Sequence, residues 1–118
     1  MKIRINKLDA VFSQYLRLKY PRCQIGIKCT NGQSTQVSHF VGRANQTLRY
    51  DEDNVTACCF ACHQYMDANP MEHVLWKRYQ LDDRFDILIV RSRGITKRTK
   101  QDKEDMIKYY QDRIKELG

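Results

Sequence analysis

Two short loops bracketed by cysteines constrain this chain more than anything else in it. Cys59 and Cys62 enclose two residues, and Cys23 and Cys29 enclose five. Two thiolates across a tight turn can reach one ion at about 2.3 Å each, and four from two turns complete a tetrahedral shell. The first loop is wider than the usual knuckle, and Gly26 eases its bend. Paired cysteines on both sides of a 29-residue insert predict a structural zinc site held by Cys23, Cys29, Cys59 and Cys62. Cys58 is the spare thiol. Chelation by Cys58 and Cys62, leaving Cys59 free, is the competing arrangement, and burial of these cysteines as small apolar side chains is the plain one.

Such a staple suits a chain that cannot build a large core. The sequence has 118 residues, is 42% hydrophobic and has a mean hydropathy of −0.70. One domain with polar helical extensions follows from those values. No run approaches 18 apolar residues, so no membrane span is predicted. The opening "MKIRINKLDAVFSQYL" is charged throughout and has no small-residue cleavage site, which argues against a secretory signal and for a cytoplasmic protein. In a reducing compartment five cysteines serve as ligands or packing residues rather than disulfides. The net charge of +7, from 21 Lys+Arg against 14 Asp+Glu, draws polyanions, nucleic acid first among them.

Along the chain, Leu8, Val11, Phe12, Tyr15 and Leu16 have helical spacing that Pro21 ends. "TQVSHF" (35–40) and "TLRY" (47–50) read as a hairpin joined by "VGRANQ". The second cysteine pair leads into a helix through Met66. Asn69-Pro70-Met71-Glu72 starts another, with Asn69 as N-cap and Pro70 where a missing N–H costs nothing. Further helices are predicted from Asp82 or Asp83 toward Gly94 and from Gln101 to Leu117. The predicted fold is α+β. A leading helix spans 1–20, a zinc-stapled core with a hairpin and a helix spans 21–80, and a helical extension spans 81–118.

Three polar residues fall into register on that core. His39 lies on the first strand, Asn54 lies fifteen residues later, and His63 follows Cys62 after nine more. His, Asn and His at these intervals, the last within CxxCH, resemble the HNH nuclease signature, which sits on a ββα-metal motif and from which the roles below are carried over. Hydrolysis of a phosphodiester needs a base with a pKa near working pH and a cation to stabilise charge on oxygen. By position, His39 is the base, His63 ligates Mg²⁺ or Mn²⁺, and Asn54 is a second ligand or orients the base. The residue before the base, often a ligand in this motif, is Ser38, a poor donor to a hard cation; Asp51, Asp53 and Asp67 are the candidates to replace it.

The segment "VSHFVGRANQTLRYDEDNVTACCFACHQYMDANP" resembles the NinG/Rap family of phage recombination endonucleases. The likeness rests on His39-Phe40, Arg43, Arg49-Tyr50-Asp51, Asn54-Val55, Cys59/Cys62 and Ala68-Asn69, and extends more loosely over residues 20–118. "CCFACHQYMD" and the wide first loop are also similar to the YbcO-like prophage HNH nucleases, and endonuclease VII-type resolvases share the zinc-stapled frame more distantly. The resemblance implies a phage- or prophage-encoded DNA endonuclease in a bacterial host, cutting branched or recombination-intermediate DNA such as a Holliday junction.

Basic residues fill in the expected DNA surface. Arg43 and Arg49 flank the predicted hairpin, and "RSRGITKRTK" (91–100) supplies Arg91, Arg93, Lys97, Arg98 and Lys100 with no acid among them. Ile107, Tyr110, Ile114 and Leu117 form a stripe that packs on the protein's own helices, a homodimer seam being the alternative. The rival to a nuclease is a zinc-containing junction-binding protein whose Ser38 records lost chemistry; a zinc-stapled protein-interaction domain is the third class.

Overall fold

The computed structural model describes residues 5–118. Residues 1–4, counted above with the leading helix, lie outside them. Helix α1 (Lys7–Lys19) starts at Asn6, whose side chain accepts from the Asp9 N–H while the Asp9 carboxylate accepts from the Asn6 N–H. That reciprocal pair satisfies two N–H groups which a helix start leaves open. Strand β1 (Gln36–His39) pairs antiparallel with β2 (Val55–Cys58), Gln36 opposite Cys58 and His39 opposite Val55. Four helices follow: α2 (Phe60–Ala68), α3 (Pro70–Leu81), α4 (Arg84–Arg91) and α5 (Lys100–Leu117).

The second strand is not where the sequence pattern put it. "TLRY" forms turns, and β2 is Val55–Cys58, the approach to the second cysteine pair. Leu48, Arg49 and Tyr50 are all buried in succession, which the alternating faces of a half-exposed strand do not allow. Asn54 supplies the hydrogen bonds that a strand partner would have given. Its Oδ1 accepts from the Val41 N–H at 2.7 Å, and its Nδ2 donates to the Val41 and Leu48 carbonyls at 2.9 and 3.0 Å. All four residues of β2 are buried, so the alternation that marks a strand in sequence is absent.

Helices α1 and α5 lie against each other and, with the hairpin, share one core. Leu8, Phe12 and Leu16 meet Val37, Val55 and Ala57 from the sheet and Tyr110 from α5, with Ile107 and Ile114 packed alongside. Ile107, Tyr110 and Ile114 of the α5 stripe therefore face their own chain, while Leu117 at its end is exposed. Phe12 touches Tyr50 and Tyr110 edge-on, with ring centroids 5.5 and 5.1 Å apart. Replacing so central a ring with alanine costs about 3–5 kcal/mol. A second cluster surrounds the cysteines, and a third joins Leu48 to Leu81, Phe85 and Leu88 of the α3–α4 pair. Asp82, at a φ of +52°, ends α3, so α4 begins after Asp83.

Candidate metal centres and active site

Cys23, Cys29, Cys59 and Cys62 converge, their sulfurs all within 4.8 Å of one another. Cys29 Sγ stands 3.7 Å from both Cys62 Sγ and Cys59 Sγ. Two sulfurs bound at about 2.3 Å and a tetrahedral angle stand about 3.8 Å apart, so the donor set fits a tetrahedral metal such as zinc. Gly26, at a φ of +73°, makes the first loop's turn in the left-handed region. Bonds from the Cys23 N–H to the Gly32 carbonyl and from the Ser34 N–H to the Pro21 carbonyl close the loop's base. The Lys28 N–H donates to Cys62 Sγ (3.2 Å) and the Cys62 N–H to Cys59 Sγ (3.4 Å). Cys58 is outside the set. Burial pushes its thiol well above the usual range, and it packs as a small apolar residue, so the Cys58/Cys62 arrangement is excluded.

One residue past Cys62, α2 turns toward a different site. His39 and Arg43, with Gln36 and His63, line a cavity of about 310 Å³ closed on its far side by α1. His39 Nε2 lies 2.9 Å from the Arg49 carbonyl. A carbonyl only accepts, so Nε2 carries the hydrogen and Nδ1 keeps a lone pair. Burial holds the imidazole down, to about 4, against the pull of that carbonyl and with help from the charge of Arg43. The ring is thus neutral at physiological pH. His63 Nδ1 donates to Gln36 Oε1 at 2.6 Å, which leaves Nε2 with a lone pair when the ring is neutral, 3.5 Å from Asp67 Oδ2 one helical turn on.

Asn54 cannot be a metal ligand here. It is fully buried and its amide is taken up by Val41 and Leu48. It holds the Leu48 carbonyl, next to the Arg49 carbonyl that accepts from His39. Ser38 is 1% exposed and its Oγ has no partner, so it offers nothing to the cavity. Of the three aspartates named as substitutes, Asp51 and Asp53 are engaged by Arg91, and Asp53 also by Arg84. Asp67 remains, 66% exposed beside His63. Among the described residues no third histidine, cysteine or carboxylate joins that pair within 4.8 Å.

The basic residues divide sharply. Arg43 lines the cavity, and its Nε is buried there without a hydrogen-bond partner. Arg49, expected at the phosphate, is buried in an ion pair with Asp9 that Tyr50 Oη joins at 2.9 Å. Burial raises the Asp9 carboxyl, yet the bonds from Arg49, the Asn6 backbone and Tyr50 outweigh it and hold its pKa below the usual value. Arg91 is 2.9 Å from Asp51 and 3.0 Å from Asp53. Arg98 donates to the Gln46 carbonyl at 2.6 Å and lies over the Tyr50 ring. These three cations hold the protein together, whereas Arg93, Lys97 and Lys100 are exposed.

Sequence reasoning missed Gln36 and the buried Lys77, which donates to the Asp53 carbonyl, Thr56 Oγ1 and Gln80 Oε1 at 2.8–3.0 Å. Neither carries a signal in the chain. Asp9 did: Asn6-x-x-Asp9 is a capping pair. Comparison with family models, curated proteins and solved structures finds no match to this chain. Among the described residues no helix is long and apolar enough to cross a membrane.

Proposed function

We propose that the protein is a metal-dependent DNA endonuclease of the HNH type, with a structural zinc on the four cysteines. The observation that carries the reading is the orientation of His39. The Arg49 carbonyl fixes its tautomer, so Nδ1 keeps a lone pair in the cavity that Arg43 also lines. Burial keeps the ring neutral and lowers its pKa to about 4, and a phosphate anion bound beside it would raise that value toward the working range. In this reading Arg43 binds a non-bridging phosphate oxygen. His39 Nδ1 takes a proton from water as the water oxygen bonds to phosphorus and the bond to the leaving oxygen breaks. A divalent cation held by His63 Nε2 and Asp67 would stabilise charge on the phosphoryl and leaving oxygens. Two protein donors suit Mg²⁺ or Mn²⁺, which keep waters and take substrate phosphates as further ligands. The +7 charge and the exposed Arg93, Lys97 and Lys100 support a DNA substrate. Branched or recombination-intermediate DNA is the substrate the sequence resemblance favours, in a bacterial cytoplasm.

A junction-binding protein without catalysis is favoured by one observation, the inward-facing Ser38, which leaves the cation two donors. The two readings separate on labelled four-way, flap and linear DNA with and without Mg²⁺ or Mn²⁺. Metal-dependent cutting that disappears in His39→Ala supports the nuclease. Tight junction binding with no cutting under any condition supports the binder.

A further inference from the structure

A second cavity meets the catalytic cleft at His39 and Asp67, and the rest of its lining has no part in the proposed hydrolysis. It measures about 460 Å³ and lies between the end of β1 and helices α3 and α4. Phe40, Val41, Val74 and Ile89 give it apolar walls, while His73 and Asp67 supply the polar groups. His73 is 6% exposed, yet its Nε2 has no hydrogen-bond partner. The ring is steadied edge-on by Phe40, with centroids 5.1 Å apart. A buried ring nitrogen left without a partner points to one that arrives from outside the chain.

A cation is the wrong occupant. His39, Asp67 and His73 do not converge, since the four cysteines form the only group among the described residues that meets within 4.8 Å. The walls call for a flat, apolar-faced group with a polar edge. The shared His39 requires that it arrive attached to a phosphate. An unstacked nucleobase meets both conditions. We propose that this cavity receives an unpaired base of the strand being cut, its face against Phe40 and Val74 and its edge on His73 Nε2. The inference rests on the nuclease reading and sharpens it. The substrate has a single-stranded nucleotide beside the scissile phosphate, as at a flap, a gap or a branch point, and continuous duplex is a poor one.

The test replaces the nucleotides flanking the cut in a flap substrate, one at a time, by an abasic residue. Loss of a base held on an aromatic and apolar platform weakens binding about tenfold or more. In the wild-type protein one abasic position should lower cleavage and binding by that factor. In Val74→Trp, which fills the cavity from α3, the intact flap should be cut about as poorly as the abasic one. His73→Phe, which removes the ring nitrogens but keeps an aromatic ring, serves as the second variant, and the circular-dichroism melt of each shows that it folds. Equal cutting of intact and abasic flaps by the wild type overturns the base site and leaves the nuclease standing. If the protein neither cuts nor binds any DNA, the nuclease reading fails and the base site fails with it.

Discussion

The thiol cluster and the histidine cleft draw on the same nine-residue helix and are built on opposite terms. Cys62 and His63 are consecutive, yet Cys62 is fully buried among three other sulfurs, while the His63 side chain is 26% exposed with one carboxylate for company. A site with four protein donors has no room for a substrate, and one with two has room for water and phosphate. Closed shells serve architecture and open ones serve chemistry. One residue step along α2 separates the two, since 3.6 residues per turn rotates successive side chains about 100° apart.

The comparison breaks most violently at the cysteines. Cys59→Ala or Cys62→Ala should abolish metal binding and cooperative folding together, because a structural zinc contributes about 10 kcal/mol or more to small domains. Native mass spectrometry should find one zinc per chain in the wild type, and a folded, metal-free protein would sink the closed-shell half. His39→Ala should do the reverse. Fold and zinc should persist while cleavage falls about 10²–10⁴-fold, the usual worth of a general base. His39→Gln carries a pH signature as well. The folded chain protonates His39 only near 4, the unfolded chain near 6.5, so stability should fall as pH drops from 6.5 to 4. The full span is worth up to about 3 kcal/mol, and thermal melts of His39→Gln should lack that share of the slope.

Smaller effects sharpen the open half. Asp67→Asn should raise the Mg²⁺ or Mn²⁺ needed for half-maximal cutting about 10–100-fold, with the melting temperature unchanged. An unchanged metal requirement would take Asp67 out of the site. Arg93→Ala and Lys97→Ala should each reduce the slope of log affinity against log salt by about 0.9 if each meets one phosphate. Arg49→Ala separates the roles of the basic residues. It leaves Asp9 buried without its partner, so it should cost stability, by about 3–5 kcal/mol, rather than flatten the salt slope.

The closed half was legible in sequence because spacing alone decides whether thiols on two short loops can meet. Helix ends were legible where Pro21 and Pro70 act on their immediate neighbours, but the side chain of Asn69, expected as a cap, donates instead to the Tyr65 carbonyl. What the sequence hid was set at long range. "TLRY" has strand-forming residues, but Asn54 and Asp9 claim its backbone and its arginine from other elements. Arg49 and Arg91 look like Arg43 in a list of charges, and only the fold shows which cations already have carboxylates. The role of Asn54 was half visible: the interval of fifteen residues placed it beside His39, but not which of its atoms would be free.

The packing of α1 on α5 also has a consequence for the order in which the protein can be made. Lys19 and Lys100, at the near ends of the two helices, are far apart in the chain. At about 5–20 residues per second, a ribosome that has made the first helix needs roughly 4–16 s more to reach the second, and then the time to complete it. Until then Phe12 lacks Tyr110, the wall of the cleft opposite His39 is unsupported, and the base has no settled pocket. If the protein is the nuclease proposed above, a nascent chain still held at the ribosome, surrounded by nucleic acid, would carry His39, Arg43 and His63 and remain unable to cut.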